Sequence, residues 1–393
     1  MNIETDLLII GAGPFGLSMA ACAAHSKLNF RSIGRPMEFW TSNMPKGMYL
    51  RSGCDWHLDP AGVDTIGRFL KTQGLSVAQV EPLSLEFYLR YVRWFVQQKG
   101  IEPLRWHVRS LDYSPRTARF HARSEDDSVI TAKSVVLAVG FKYFKHVSAE
   151  LAQCLPPGAR FAHTCDLVDF APLRDKRCLI IGGRQSAFEW AALICEAGAA
   201  AVHVCHRHDS PAFKASDWSW CGPLVDRTRE DATWFRKLSQ AQQEDLRQRL
   251  WAEGRLKIEP WLEPRIVKDR VKLWPRSRLV GCVPQPDGDL AATLDNGETL
   301  VVDQIIAATG YKVDIRRVPF LAGGNILEQL ATRNGFPALD EDFQTSIPGL
   351  FMTSMPAVQD FGPFWGFTIA APVSAQIIGR RLLAGRQPEI APG

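Results

Sequence analysis

The chain has 393 residues, of which 46% are hydrophobic and 22% charged, and its 46 basic side chains barely outnumber its 42 acidic ones. At about 150 residues per domain this length makes two or three domains with sizeable cores, which excludes disorder, collagen-like repeats and a small stapled scaffold. A formal charge of +4 with no basic block excludes the electrostatic footprint of nucleic-acid binding. The nine cysteines contain no C-x-x-C pair, so their spacing reads neither as a zinc ribbon nor as a redox dithiol, and a reducing, cytoplasmic compartment is expected. Met1 to Asp6 lacks the basic start of a signal peptide.

The first element is the apolar run Leu7-Leu8-Ile9-Ile10. It enters Gly11-Ala12-Gly13-Pro14-Phe15-Gly16 and continues as the small, apolar Leu17 to Ala24, which reads as strand, tight turn and helix. In this G-x-G-x-x-G, Gly11 permits the turn, Gly13 lets backbone approach a pyrophosphate, and Gly16 lets the helix pack on the strand. The helix N-terminus adds partial positive charge toward phosphates. A second strand is expected at Asn29 to Ile33. The carboxylate that normally holds a ribose at that strand end is absent from Phe30 to Met37, where Gly34 and Arg35 stand instead.

A helix with apolar spacing is expected from Leu85 to Gln98, stopped by Gly100. A hairpin of Trp106 to Leu111 and Ala118 to Arg123 leads to the strand Ser134 to Val139, closed by Gly140. The strand–turn–helix design then repeats: Cys178-Leu179-Ile180-Ile181 meets Gly182-Gly183-Arg184-Gln185-Ser186-Ala187 and continues as Phe188 to Ile194. Arg184 stands where the second glycine is expected, and either crowds a pyrophosphate or lends it a charge.

The next strand, Ala201 to Cys205, leads into His206-Arg207-His208. An arginine without an acid there suits a 2′-phosphate, so NADPH is expected over NADH. His203, His206 and His208 could suggest a metal, but two would share one strand face with no completing carboxylate or thiol, and no metal site is expected. Six of the twelve tryptophans fall between residues 210 and 280, around a polar helix expected from Arg227 to Glu253 and stopped by Gly254. Strand Asp287 to Leu294 and the turn Asp295-Asn296-Gly297 precede the strand Gln304 to Thr309, closed by Gly310. Phe361 to Gly379 carries no charge and could read as a tail anchor. Its prolines, glycines and polar residues favour a buried loop and helix over a membrane span. Cys54 and Cys221 are lone thiols, expected to be inert.

Two dinucleotide turns imply two dinucleotides and electron transfer between them. The order G-A-G-P-F-G, L-A-V-G, G-G-R-Q-S-A with a following Arg, and A-A-T-G-Y resembles the two-dinucleotide flavoproteins. Within them it resembles the single-chain flavin-dependent monooxygenases of the flavin-containing and N-hydroxylating type. Asp303 to Tyr311 is similar to the D-x-x-x-[L/F]-A-T-G-Y signature of the N-hydroxylases, with Ala307 in place of the bulky apolar residue. Met48 to Ser52 with Leu58-Asp59-Pro60 resembles the segment that runs beside the flavin toward substrate. The F-x-G-x-x-x-H fingerprint is only partly matched, Gly158 and His163 being one residue too far apart, and the Baeyer–Villiger motif is missing.

The resemblance implies an α/β fold with two Rossmann-like dinucleotide-binding domains. The FAD domain is expected to be discontinuous, 1–155 and 305–393, with an NADPH domain, 156–304, inserted. NADPH would reduce the flavin, which would activate O2 and pass one oxygen atom to a small organic substrate, an amine before a sulfide or ketone. The expected cofactor-binding set is Gly11, Gly13, Pro14, Phe15, Gly16, Arg35, Trp40, Leu50, Arg51, Ser52, Val108 and Gly140 in the first half. Gly182, Gly183, Arg184, Gln185, Ser186, Arg207, Thr309, Gly310, Tyr311, Phe361 and Gly362 complete it. Arg51 could instead hold a substrate carboxylate. Phe364, Trp365 and Phe367 are expected as apolar cover for the flavin, with Gly362 and Gly366 letting backbone approach its ring. No catalytic side chain is assigned, because the flavin carries the oxygen chemistry. A flavin reductase or oxidase of the same fold, and a non-enzymatic dinucleotide-responsive protein, are the alternatives.

Overall fold

Strands with apolar side chains on both faces can only be buried between layers of helix, and the computed structural model, which describes residues 2–266 and 269–385, is built from two such layers. β1 (Asn2–Ile10) leads through a tight turn into α1 (Pro14–His25) and then β2 (Phe30–Ile33). The short α2 (Glu38–Ser42), then α3 (Ile66–Thr72) and the amphipathic α4 (Leu85–Lys99) follow. α4 ends on Gly100 in the left-handed conformation, as its sequence predicts. β3 (Val108–Ser114), β4 (Arg119–Ser124) and β5 (Val129–Leu137) form an antiparallel meander.

β1 lies between β2 and β5, parallel to both. The first half of β5 pairs with β4, while Val135 to Leu137 pair in parallel with a strand from far along the chain, Leu350–Met352.

α5 (Ala149–Cys154) leads to β6 (Phe161–His163), β7 (Arg177–Ile181), α6 (Gln185–Glu196) and β8 (Ala201–Cys205). Beyond β9 (Ala212–Phe213) the expected polar helix is three helices: α7 (Cys221–Glu230), α8 (Trp234–Lys237) and α9 (Gln240–Arg255). Two side-chain caps impose the breaks. The Asp231 carboxylate accepts from the Thr233 N–H at 3.0 Å, and Ser239 with Gln242 forms a capping box that starts α9.

β10 (Lys257–Ile258) pairs with β9, and β11 (Val271–Trp274) with β8. The meander β12 (Leu279–Pro284), β13 (Leu290–Leu294) and β14 (Thr299–Val302) turns at Asp295-Asn296-Gly297 as predicted, although its first strand was not foreseen. β15 (Gln304–Ala307) returns between β7 and β6, giving an all-parallel second sheet of order β11-β8-β7-β15-β6. The expected strand ends at Ala307 and not at Thr309.

Residues 319–385 return to the first unit. α10 (Pro319–Ala322) and α11 (Ile326–Gln329) pack on β3, the hairpin β16 (Thr332–Arg333) and β17 (Phe336–Pro337) follows, and Leu350–Met352 is β18. α12 (Val358–Phe361) and α13 (Ala371–Ala384) close it, α13 lying on α1. The uncharged stretch from Phe361 is thus a buried loop and helix. No helix among the described residues is long and apolar enough to cross a membrane.

Candidate cofactor site

The two glycine turns are built on one plan. Gly11 N–H donates to Ile33 O at the end of β2, and Gly182 N–H donates to Cys205 O at the end of β8. Both glycines have positive φ, +114° and +140°, and a Cβ on either would strike a carbonyl oxygen, that of Ala138 at 2.3 Å or that of Ala308 at 2.5 Å. Only glycine satisfies both demands. Ala138 and Ala308 are the small residues of L-A-V-G and A-A-T-G, so these glycine-ended strands exist to seat the turns.

The turns then diverge. A Cβ on Gly13 would meet nothing within 4 Å, whereas one on Gly16 would lie 1.8 Å from Gly11 O, so Gly13 leaves space and Gly16 is packing. In the second turn a Cβ on Gly183 would collide with the His206 ring at 2.4 Å, and the position matching Gly13 is Arg184.

The space beside Gly13 is part of an open cleft along the start of α1. Gly11, Gly13, Pro14, Phe15, Arg35, Trp40, Val108 and Gly140 of the expected set line it. So does Gly366, as expected of the C-terminal stretch, and so do Glu38, Phe39, Phe141, Lys142, Ser354 and Thr368, which are outside the expected set. Glu38 stands one residue past Phe30 to Met37, the stretch without an acid, and supplies a carboxylate at this end of the cleft. Its Oε2 lies 3.1 Å from Lys142 Nζ across the cleft wall. Ser354 and Thr368 arrive from more than 200 residues away, with no local signal.

Several expected contacts lie elsewhere. Leu50 is buried, its N–H donating to Leu83 O at 2.8 Å, and neither it nor Ser52 lines the cleft. The Arg51 guanidinium is spent on protein: Nε donates to Glu259 Oε1 at 2.8 Å, Nη1 to Gly254 O at 2.8 Å, and Nη2 to Ser216 Oγ and Glu253 O. It caps the carbonyl end of α9 and is not free for a substrate carboxylate or a phosphate. Phe361 is fully buried, stacked on Phe343 at 3.7 Å, and Gly362 faces Phe235. Trp365 is also fully buried beside both phenylalanines, so it is core and not cover. The C-terminal segment reaches the cleft through Gly366 and Thr368.

Thr309 donates to His146 O, and Gly310 O lies 3.1 Å from His163 Nε2. Tyr311 stands one layer behind the cleft, its ring 5.1 Å from Phe141 and 6.1 Å from Phe39. Burial pushes the Tyr311 phenol well above its usual range.

At the second turn Gln185 and Ser186 open α6, and Arg184 is its N-cap residue. The Arg184 guanidinium is depressed to about 10, by burial first and then by Arg255 and Arg207 nearby. β8 ends at Cys205, so His206 and His208 lie past the strand and share no strand face, contrary to expectation. His206 Nδ1 donates to His208 O at 2.8 Å, and its buried Nε2 has no partner among the described residues. Cys54 and Cys221 are buried thiols pushed up to about 12 by burial, and all nine cysteines are free.

The two units are joined at Gly47 to Arg51. Glu189 on α6, fully buried, accepts from Tyr49 N–H at 3.2 Å, from Gln185 Nε2 at 3.2 Å and from Arg265 Nη1 at 3.3 Å. Burial raises its carboxyl from 4.5 to about 7. A carboxyl raised by folding binds more protons folded than unfolded, so its stabilisation is complete below pH 4.5 and is lost as pH rises through about 7. Stability in urea should therefore fall by roughly 3 kcal/mol between pH 5 and pH 8 on this account. Glu189→Gln should flatten that dependence, and an unchanged slope in the variant would assign it to other groups.

Two Rossmann units of one design in a single chain define a two-dinucleotide α/β fold. The chain belongs to the pyridine nucleotide-disulphide oxidoreductase family, whose sequence profile matches residues 5–353. A search of curated proteins finds no significant match. Among solved structures, the ornithine N-hydroxylase of Kutzneria sp. 744 is similar over 98% of this chain and 100% of its own, at 15% identity and a TM-score of 0.79. The cadaverine monooxygenase DfoA of Erwinia amylovora is similar over 98% of this chain and 95% of its own, at 20% identity and 0.75. A bacillithiol disulfide reductase of Staphylococcus aureus is similar over 98% and 100%, at 18% identity and 0.66. At these identities the likeness is one of fold.

Proposed function

We propose that the protein is an FAD-dependent, NADPH-consuming monooxygenase that inserts one oxygen atom of O2 into a small organic substrate, with an amine nitrogen as the favoured acceptor. The observation that carries this reading is the glycine turn built twice in one chain, its first copy opening onto the cleft lined by Gly11 to Phe15. The cradle fits FAD. Backbone at Gly13 to Phe15, at the N-terminus of α1, would meet the pyrophosphate, and Arg35, Glu38, Trp40, Gly366 and Thr368, which line the same cleft, would hold the rest of the molecule. Residues 1–155 and 305–393 would form the FAD part around the first sheet, although β15 belongs to the second sheet and 386–393 lie outside the described residues. Residues 156–304 would form the NADPH part.

When bound, FAD supplies hydride acceptance and oxygen activation. The chain's own residues bind, orient and keep water out. The amine preference draws on the N-hydroxylating enzymes among the similar structures and on the Asp303 to Tyr311 signature. The similar disulfide reductase favours the second reading, a reductase, but all nine thiols here are free and none stands in a C-x-x-C pair that could relay electrons.

Purified protein should be yellow and should bleach anaerobically with NADPH. Admission of O2 with a panel of amines, sulfides and ketones should then give a product heavier by one oxygen for each NADPH consumed. Colourless protein, or NADPH oxidation that yields only hydrogen peroxide across the panel, would overturn the reading; oxidation that depends on a disulfide would establish the reductase. Coenzyme choice is tested separately. Arg207→Ala should raise KM for NADPH by tenfold or more and leave that for NADH within about twofold, because a charge-assisted contact to the 2′-phosphate is lost. Equal effects would make Arg207 a solvated strand end.

A further inference from the structure

Three arginines gather at the second glycine turn. Arg184 caps α6, Arg207 follows β8, and Arg255 is the last residue of α9, a helix from the Trp-rich segment. No ion pair joins any of the three to a carboxylate among the described residues. Glu259 N–H donates to Gln185 Oε1 at 3.1 Å, which seats the chain just after Arg255 on the first residue of α6, and the His206 ring next to Arg207 packs on Gly183.

α9 is fixed in place at this end. Arg51 binds the carbonyls of Glu253 and Gly254, and Ser216 Oγ donates to Glu253 O at 2.9 Å. β10 begins two residues after α9 and pairs with β9. Trp251, four residues before Arg255 and so on the same helix face, remains 44% exposed, and the Arg184 guanidinium lies 5.3 Å from its ring centroid. An exposed indole and three uncompensated guanidinium groups at the N-terminus of a helix form a surface that a polyanion would complete.

We infer that α9 contributes to the coenzyme site, with Arg255 and Arg184 flanking the pyrophosphate of NADPH and Trp251 holding Arg184 toward it. The inference rests on the second turn being the coenzyme site, as proposed above, and adds a grip from outside the Rossmann unit. It also accounts for Arg184 at the position of the usual glycine. The turn forgoes backbone approach at that point and substitutes a charge, which α9 doubles. α9 also touches the Pro363–Gly366 turn, whose Gly366 lines the FAD cleft, so one helix spans from one cofactor site to the other.

The pyrophosphate is common to both coenzymes, and this separates the inference from the role of Arg207. Calorimetric titration of flavin-loaded protein with NADP+ and with NAD+, without turnover, should show Arg255→Ala raising both Kd values by tenfold or more. Arg255→Lys should recover part of the loss. Arg207→Ala should weaken NADP+ alone. Arg249→Ala is the control, since Arg249 lies on the same helix over the Trp220 ring, and it should leave both Kd values unchanged. Wild-type affinity in Arg255→Ala would overturn the role of α9 while leaving the coenzyme reading intact. Loss confined to NADP+ would overturn the assignment to pyrophosphate. Failure of the wild-type protein to bind either coenzyme would overturn the coenzyme reading and the role of α9 together.

Discussion

Gly13→Val is expected to yield folded, colourless protein. The backbone there is extended, with φ −80° and ψ −172°, which valine adopts without strain, and a Cβ at this position meets no protein atom within 4 Å. The added side chain would stand in the cleft itself, where the pyrophosphate must come against backbone. Flavin content should drop from one per chain to nearly none, with the far-ultraviolet circular dichroism and the urea midpoint of the flavin-free protein retained. Gly16→Val supplies the contrast. Its Cβ would sit 1.8 Å from the Gly11 carbonyl oxygen, so that variant should fail to fold. Full flavin content in Gly13→Val would remove FAD from the first turn.

Trp365→Ser is expected to cost about 3–5 kcal/mol of stability, the range for truncating a large buried aromatic. The indole is fully buried between Phe343, at 4.9 Å, and Phe361, at 5.5 Å, and its Nε1 donates to Phe361 O at 2.8 Å. Serine would leave a cavity and strand that carbonyl. Loss of the C-terminal turn should also loosen Gly366 and Thr368 at the cleft wall, so flavin affinity should fall along with the urea midpoint. The sequence alone pointed to another outcome, a stable enzyme that leaks hydrogen peroxide because its flavin has lost its cover. Wild-type stability together with that leak would place the ring over the flavin and overturn the packing account.

Gly13 and Trp365 differ in how far along the chain their surroundings lie. Both Rossmann turns were legible because each is local. A buried strand, a glycine that must take positive φ and a helix that must pack closely lie within about 15 consecutive residues, and backbone sterics allow few alternatives. The left-handed stop at Gly100 and the turn at Asp295-Asn296-Gly297 were legible for the same reason.

Tertiary structure alone decided which of the remaining residues meet the cleft. Ser354 and Thr368 reach it because β18 pairs with the second half of β5, a register that no local pattern encodes. Arg51 looked available for a ligand, yet folding brings Glu259 and the carbonyl end of α9, about 200 residues away, to within 2.8 Å of it. Buried guanidinium groups take every acceptor within reach, so only the folded neighbourhood could separate Arg51, which is spent, from Arg184, Arg207 and Arg255, which are not. The aromatic run at Phe361 divides in the same way: packing draws its large rings into the core and leaves glycine and threonine at the surface of the site.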